Sequence, residues 1–192
     1  MNVYKLWKTY VYICALTLTE VNILFNKMEI SVHAEKLVEH SEKHVDFYMK
    51  YAFTVFETLQ EPQFRKFLHW ILRNEKIRQD EVKDVEVVVL PFQKKNGNGL
   101  AGRCNSRGEI RIYPKRIDFC RKLIRKCGKK GVHSYIKHRA RAALIHELLH
   151  VKYLNDEEKV RKLTRKYFNI FTKHRDVQNP DASNLLKMLF KH

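Results

Sequence analysis

Ala142-Ala143-Leu144-Ile145-His146-Glu147-Leu148-Leu149-His150-Val151-Lys152-Tyr153 is an apolar run that carries two histidines four residues apart and a carboxylate beside the first. The run lacks glycine and proline, and its composition predicts a helix that continues from about residue 133 to 153. Residues four apart share one face of a helix, so both imidazoles can reach a single metal ion. Glu147 lies one step round, placed to take a proton from a water that the ion activates rather than to bind the ion. These residue types at this spacing predict a catalytic zinc helix, with His146 and His150 as ligands and Glu147 as general base. With 10 histidines in 192 residues, chance supplies only about 0.04 such patterns, and few of those would fall inside a helix.

Upstream of this helix the hydrophobic period changes twice. Residues 31–59 follow a helical pattern through Leu37, Val38, Val45, Tyr48, Ala52, Val55, Phe56 and Leu59. Pro62 suits the first turn of a second helix, whose stripe is Phe64, Phe67, Leu68, Ile71 and Leu72. Residues 85–92 are β-branched and apolar, a buried strand ended by Pro91. After the turn-forming residues 94–99 come two short strands, near 100–104 and 109–113, joined as a hairpin by Asn105-Ser106-Arg107-Gly108. A basic helix over about 115–127 is closed by Gly128. Beyond the motif, residues 156–173 form another amphipathic helix, and Asn184 to Phe190 a last short one. The fold class is therefore α+β: a small antiparallel or mixed sheet, the HExxH helix and an N-terminal helical hairpin. The expected organisation is an N-terminal extension over 1–27, the hairpin over 28–80 and the core over 81–192, the last two forming one unit.

Composition fits a globular protein, with 44% apolar and 11% aromatic residues. Charge is lopsided, at +17. Between Arg111 and Arg141 stand twelve basic residues against one acid, Asp118. That bias favours a polyanionic partner, DNA or RNA, with Lys122, Arg125, Lys126 and Lys129 as the contacting residues. The cysteines at 14, 104, 120 and 127 form no CxxC pair and no secreted disulfide framework, so reduced thiols in the cytoplasm are expected. The apolar stretch after Lys5 and Lys8 is interrupted by Glu20 and Asn22, too short for a membrane span, and reads as a short strand or helix or as an extension before a start at Met28.

Catalytic zinc takes three protein ligands as a rule. About twenty residues past His150, around Ile170, no acid is found. A turn just after the helix serves instead: Asn155 tolerates a left-handed backbone and can reverse the chain, so that Asp156 presents its carboxylate, with Glu157 as the rival. The alternative role of both acids is to open the next helix.

Residues 146–156, HELLHVKYLND, resemble the SprT and WLM group of zincin-like peptidases, whose sequences often read HELxHLKxxNH. Asp156 stands where that pattern has its final histidine. The resemblance implies a zincin-like fold over residues 85–173 and one catalytic Zn2+ held by His146, His150 and Asp156. It also implies hydrolysis of peptide or protein substrates, some of them attached to DNA. Substrate would lie along an edge strand above the zinc helix, and residues 109–113 are the candidate, with Ile110 and Ile112 contacting it. Tyr113, Tyr153 and His174 are candidate donors to the developing oxyanion. A reading from another class remains beside this one: a non-catalytic nucleic-acid-binding protein on the same fold.

Overall fold

The two apolar stripes upstream of the sheet become a helical hairpin. The computed structural model describes residues 25, 27–32, 41–92 and 99–173. Helix α1 (Glu42–Gln60) buries Tyr48, Tyr51, Ala52, Val55 and Leu59, and α2 (Pro62–Glu75) buries Phe64, Leu68, Ile71 and Leu72. Glu61 alone separates them, and Pro62 takes the first turn of α2, where its missing N–H costs nothing. Lys76 ends α2 in the left-handed region, with its N–H and that of Ile77 returned to Arg73 and Leu72. Leu37 and Val38, expected on the first helix, lie outside the described residues, as do His174 and the expected final helix.

Before this hairpin stands a strand that the helical pattern from residue 31 did not anticipate. Strand β1 (Lys27–Ser31) pairs in parallel with β2 (Asp84–Val88), so the expected boundary at residue 28 cuts through a sheet element. Phe25, just upstream, is buried in the core. β3 (Gly102–Cys104) and β4 (Ile110–Ile112) form the expected hairpin, and the sheet order is β1-β2-β4-β3. β4 is parallel to β2 and antiparallel to β3.

That order corrects one expectation. β4 is an interior strand, paired on both sides, and Ile110 and Ile112 are fully buried, so neither contacts substrate. The edge beside the motif helix belongs to β3. Alternation of Ile110, Arg111 and Ile112 shows that one face is buried, and it looks the same in an edge strand and in an interior one.

The two expected helices meet at a kink within α3 (Ile117–Tyr153): Gly128, at φ 70° and ψ 177°, is non-helical and separates the halves, as expected. The second half passes through the centre of the molecule, burying Ala140, Ala142, Ala143, Leu144, Ile145, Leu148 and Leu149. It packs against α1, β3, β4 and α4 (Glu157–Lys173), which contributes Val160, Tyr167, Phe168 and Phe171. Each of the larger side chains among these (Leu144, Ile145, Leu148, Leu149, Val160, Phe168 and Phe171) contributes about 1.5–3 kcal/mol on removal from water, so this half of α3 is held firmly. Among the described residues no helix is long and apolar enough to cross a membrane.

Candidate metal centre

His146 and His150 occupy successive turns near the C-terminus of α3, where the chain must reverse to begin α4. The reversal is a tight turn closed by the Asp156 N–H on the Tyr153 carbonyl at 2.9 Å. Its strained residue is Leu154 (φ 44°, ψ −109°), not Asn155 as the left-handed preference of asparagine suggested. Those angles suit the first central position of a type II′ turn, a place where glycine is the usual residue. Asp156 then accepts from the Lys159 N–H at 3.1 Å through its side chain, as the residue capping α4. Glu157 follows as the first helical residue, and its carboxylate faces the histidines.

Among the described residues, His146, His150 and Glu157 are the one group of three ligating side chains that converge. The two Nε2 atoms are 3.1 Å apart, and Glu157 places Oε1 3.6 Å from His146 and Oε2 3.2 Å from His150. Ligands 2.0–2.1 Å from a tetrahedral zinc are separated by about 3.3 Å, and each of these three distances lies near that value, the two carboxylate distances ending on different oxygens of Glu157. Asp156 was the expected third ligand. The turn geometry instead gives its carboxylate to the helix cap and brings Glu157, one residue later, to the imidazoles.

The proton positions on both rings follow from their outer partners. His150 Nδ1 lies 2.5 Å from the Leu154 carbonyl, which can only accept. His146 Nδ1 lies 3.3 Å from Thr164 Oγ1, whose own proton goes to the Val160 carbonyl at 2.7 Å. When the Thr164 proton lies on Val160, Nδ1 of each ring faces an accepting oxygen, and in that tautomer both rings turn an unprotonated Nε2 inward. Burial pushes His146 down to about 4; Glu157 acts in the other direction, while His150 and Arg161 add to the lowering. In that tautomer two Nε2 lone pairs lie 3.1 Å apart beside a carboxylate, an arrangement that a cation between them stabilises. Arg161 partly balances Glu157 by donating to Oε1 at 2.8 Å.

Glu147 is 6% exposed and lies under the edge strand β3. A Cβ on Gly102 would lie 2.6 Å from Glu147 Cγ and 2.8 Å from Oε1. Gly102 is not among the glycines with positive φ, so the position requires room and not an unusual backbone. Cys104, also on β3, has its thiol pushed up to about 11 by burial and then by the Glu147 carboxylate, and stays protonated at neutral pH.

Of the candidate oxyanion donors, Tyr153 is committed elsewhere. Its hydroxyl donates to the buried Glu75 carboxylate at 2.5 Å, and that bond raises its pKa to about 12. Tyr167 donates to the same carboxylate. Glu75 thereby ties the end of α2 to α3 and α4 on either side of the turn. Tyr113 is buried and packs against Phe92, and its carbonyl accepts from Arg139 at 2.6 Å.

The basic run divides in two. Lys122, Arg125, Lys126 and Lys129 are exposed on the first half of α3 and its kink. Arg139 and Arg141 are buried. Arg139 bonds the Tyr113 and Leu100 carbonyls, and Arg141 bonds Glu61 at 2.8 Å and lies over the Phe171 ring. Sequence reasoning missed Gly102, Thr164 and the Leu154 carbonyl. The cap preference for Asn or Asp over Glu, applied to Asn155-Asp156-Glu157, was a signal against Glu157 as the cap, but it does not choose between Asn155 and Asp156. Compared with protein-family models, with curated proteins and with solved structures, the chain finds no match.

Proposed function

We propose that this protein is a zinc-dependent peptidase in which His146, His150 and Glu157 hold one ion and Glu147 is the general base. The observation that carries the reading is the convergence of two Nε2 atoms, 3.1 Å apart, with the Glu157 carboxylate 3.2 Å from one and 3.6 Å from the other. The ion would supply Lewis acidity, polarising a scissile carbonyl and lowering the pKa of a water towards about 7. Glu147 takes the water's proton and passes it to the leaving amine. Its burial beneath β3 holds the carboxylate in one place through both transfers. The side of β3 away from β4, unpaired among the described residues, is the edge on which an extended peptide can add as a further strand, with Gly102 keeping the backbone close to the base. The likeness of residues 146–156 to SprT-like peptidases supports the same chemistry, with Glu157 in the part assigned there to Asp156.

The test is metal content and what it does. Purified protein should hold one zinc per chain, chelation should lower its melting temperature, and peptide hydrolysis should return on adding zinc. A chain that carries no stoichiometric zinc, and whose melting temperature zinc leaves unchanged, overturns the proposal. That result would favour the second reading, a nucleic-acid-binding protein without catalysis. The exposed cations Lys122, Arg125, Lys126 and Lys129 support nucleic-acid contact under both readings. The free cysteines Cys104, Cys120 and Cys127 accord with a reducing, cytoplasmic setting.

A further inference from the structure

We infer that Thr164 is a positioning residue of this site: its hydroxyl oxygen fixes the tautomer and the aim of His146. The inference rests on the zinc reading and adds to it a residue outside the ligand set. Thr164 follows Glu157 by seven residues, two turns along α4, so one face of that helix brings a carboxylate to both imidazoles and a hydroxyl to one of them. The side chain is 2% exposed. Its single proton is committed to the Val160 carbonyl at 2.7 Å, so towards His146 Nδ1, 3.3 Å away, the oxygen acts only as acceptor. A neutral imidazole that donates from Nδ1 keeps its lone pair on Nε2, the atom that faces His150 and Glu157.

The matching role at His150 belongs to the Leu154 carbonyl, a backbone group that no side-chain substitution removes. Thr164 is thus the place where the outer support of the site can be deleted by one change. Valine has the same shape and fills the same buried volume, but offers no acceptor. With Thr164→Val, His146 can place its proton on either nitrogen, and only part of the population presents a lone pair to the ion.

The experiment uses the full chain as parent, Thr164→Val and Thr164→Ser. Zinc affinity is read by competition with a chromophoric chelator, and the His146 tautomer by ring nitrogen shifts in the metal-free protein. Thr164→Val should weaken zinc binding by about 10- to 100-fold and lose the single Nδ1–H tautomer. Thr164→Ser should keep both. Unchanged affinity and tautomer in Thr164→Val overturn the inference. So does an equal loss in the serine variant, which would trace the effect to the space filled by the methyl group. A parent that binds no zinc overturns the underlying reading instead, and the tautomer in that metal-free protein still decides whether Thr164 directs His146.

Discussion

Helix α3 has two halves that share one sequence-level description, basic and helical, and have opposite environments. Residues 117–127 bury only Ile117, Cys120 and Leu123, and leave Arg121, Lys122, Ile124, Arg125 and Lys126 in water. Beyond Gly128 the burial becomes almost continuous from residue 138 to 149, apart from His146. Cations in the second half are parts of the architecture: Arg139 holds two carbonyls, and Arg141 holds Glu61 and lies over Phe171. In the first half Lys122, Arg125 and Lys126 face solvent, and so does Lys129 just past the kink. A count of lysines and arginines therefore overstates the polyanion footprint, since a buried arginine serves packing and carbonyl satisfaction as often as recognition. The first half turns back at Gly128, bringing the Phe119 ring to 5.4 Å from the Tyr135 ring, so a polyanion held there lies beside the second half rather than at the end of a straight rod.

The largest effect should come from the second half and the turn beyond it. Under the proposed zinc reading, Glu157→Ala removes the third ligand and should lower zinc affinity by more than the about 10- to 100-fold that follows loss of an outer partner, and abolish hydrolysis with it. Asp156→Ala should leave the ion in place and cost about 1 kcal/mol of stability, the value of a lost helix cap. Zinc stoichiometry after chelator dialysis separates the two. If Asp156→Ala proves the variant that loses zinc, the carboxylates exchange roles and the capping argument fails. Next in size, Glu147→Gln should retain zinc and fold while lowering hydrolysis by at least about 10²-fold. Full activity against a peptide that the parent cleaves would remove Glu147 from the mechanism.

The second half was legible in the sequence because its signals are local. Two histidines four apart need only a helix to converge, and the stripe from Ala140 to Leu149 makes one. The first half was equally plain, and Gly128 stops it at the residue expected. What lay beyond reach depends on partners distant in the chain. β1 is five residues with a weak alternation, and only its pairing with β2 makes it a strand. Whether β4 is an edge depends on where β3 goes. Gly102 is meaningful only once Glu147 is seen beneath it, and Thr164 only once α4 is laid against α3. The choice between Asp156 and Glu157 turns on a single residue of helix register, which a strained Leu154 shifts from the position asparagine would favour.

For the first half the expected effect is smaller and depends on salt. Changing Lys122, Arg125, Lys126 and Lys129 together to Gln should flatten the slope of log K against log salt for duplex DNA by roughly two or more units, since each phosphate contact contributes about −0.9. Zinc content should not change, because none of these residues belongs to the group of His146, His150 and Glu157. Salt titrations with unrelated DNA and RNA oligomers give the measurement. No binding at about 50 mM salt, or an unaltered slope, would leave the first half as a solvated surface and confine function to the second.

The smallest effect concerns how each half ends. The first stops at Gly128, φ 70°, where a glycine takes the left-handed backbone without strain; the second stops at Leu154, φ 44°, where a leucine must bear it. A Cβ on Gly128 would meet no atom within 4 Å, so Gly128→Ala tests backbone conformation alone and should destabilise by about 1 kcal/mol. Leu154→Gly should do the reverse. Leu154 is 66% exposed, so little burial is lost, and relief of strain on the order of 1–3 kcal/mol exceeds the roughly 0.4–1 kcal/mol that glycine adds to the entropy of the unfolded chain. In the metal-free protein the net gain should raise the melting temperature by about 2–4 °C for each kcal/mol. The same change loosens the turn that presents the Leu154 carbonyl to His150 and Glu157 to both rings, so zinc affinity should fall as stability rises. Calorimetry of the metal-free variants, set beside their zinc affinities, checks both directions. A Leu154→Gly protein that melts lower, or that binds zinc more tightly, would mean that the turn holds no strain on behalf of the site.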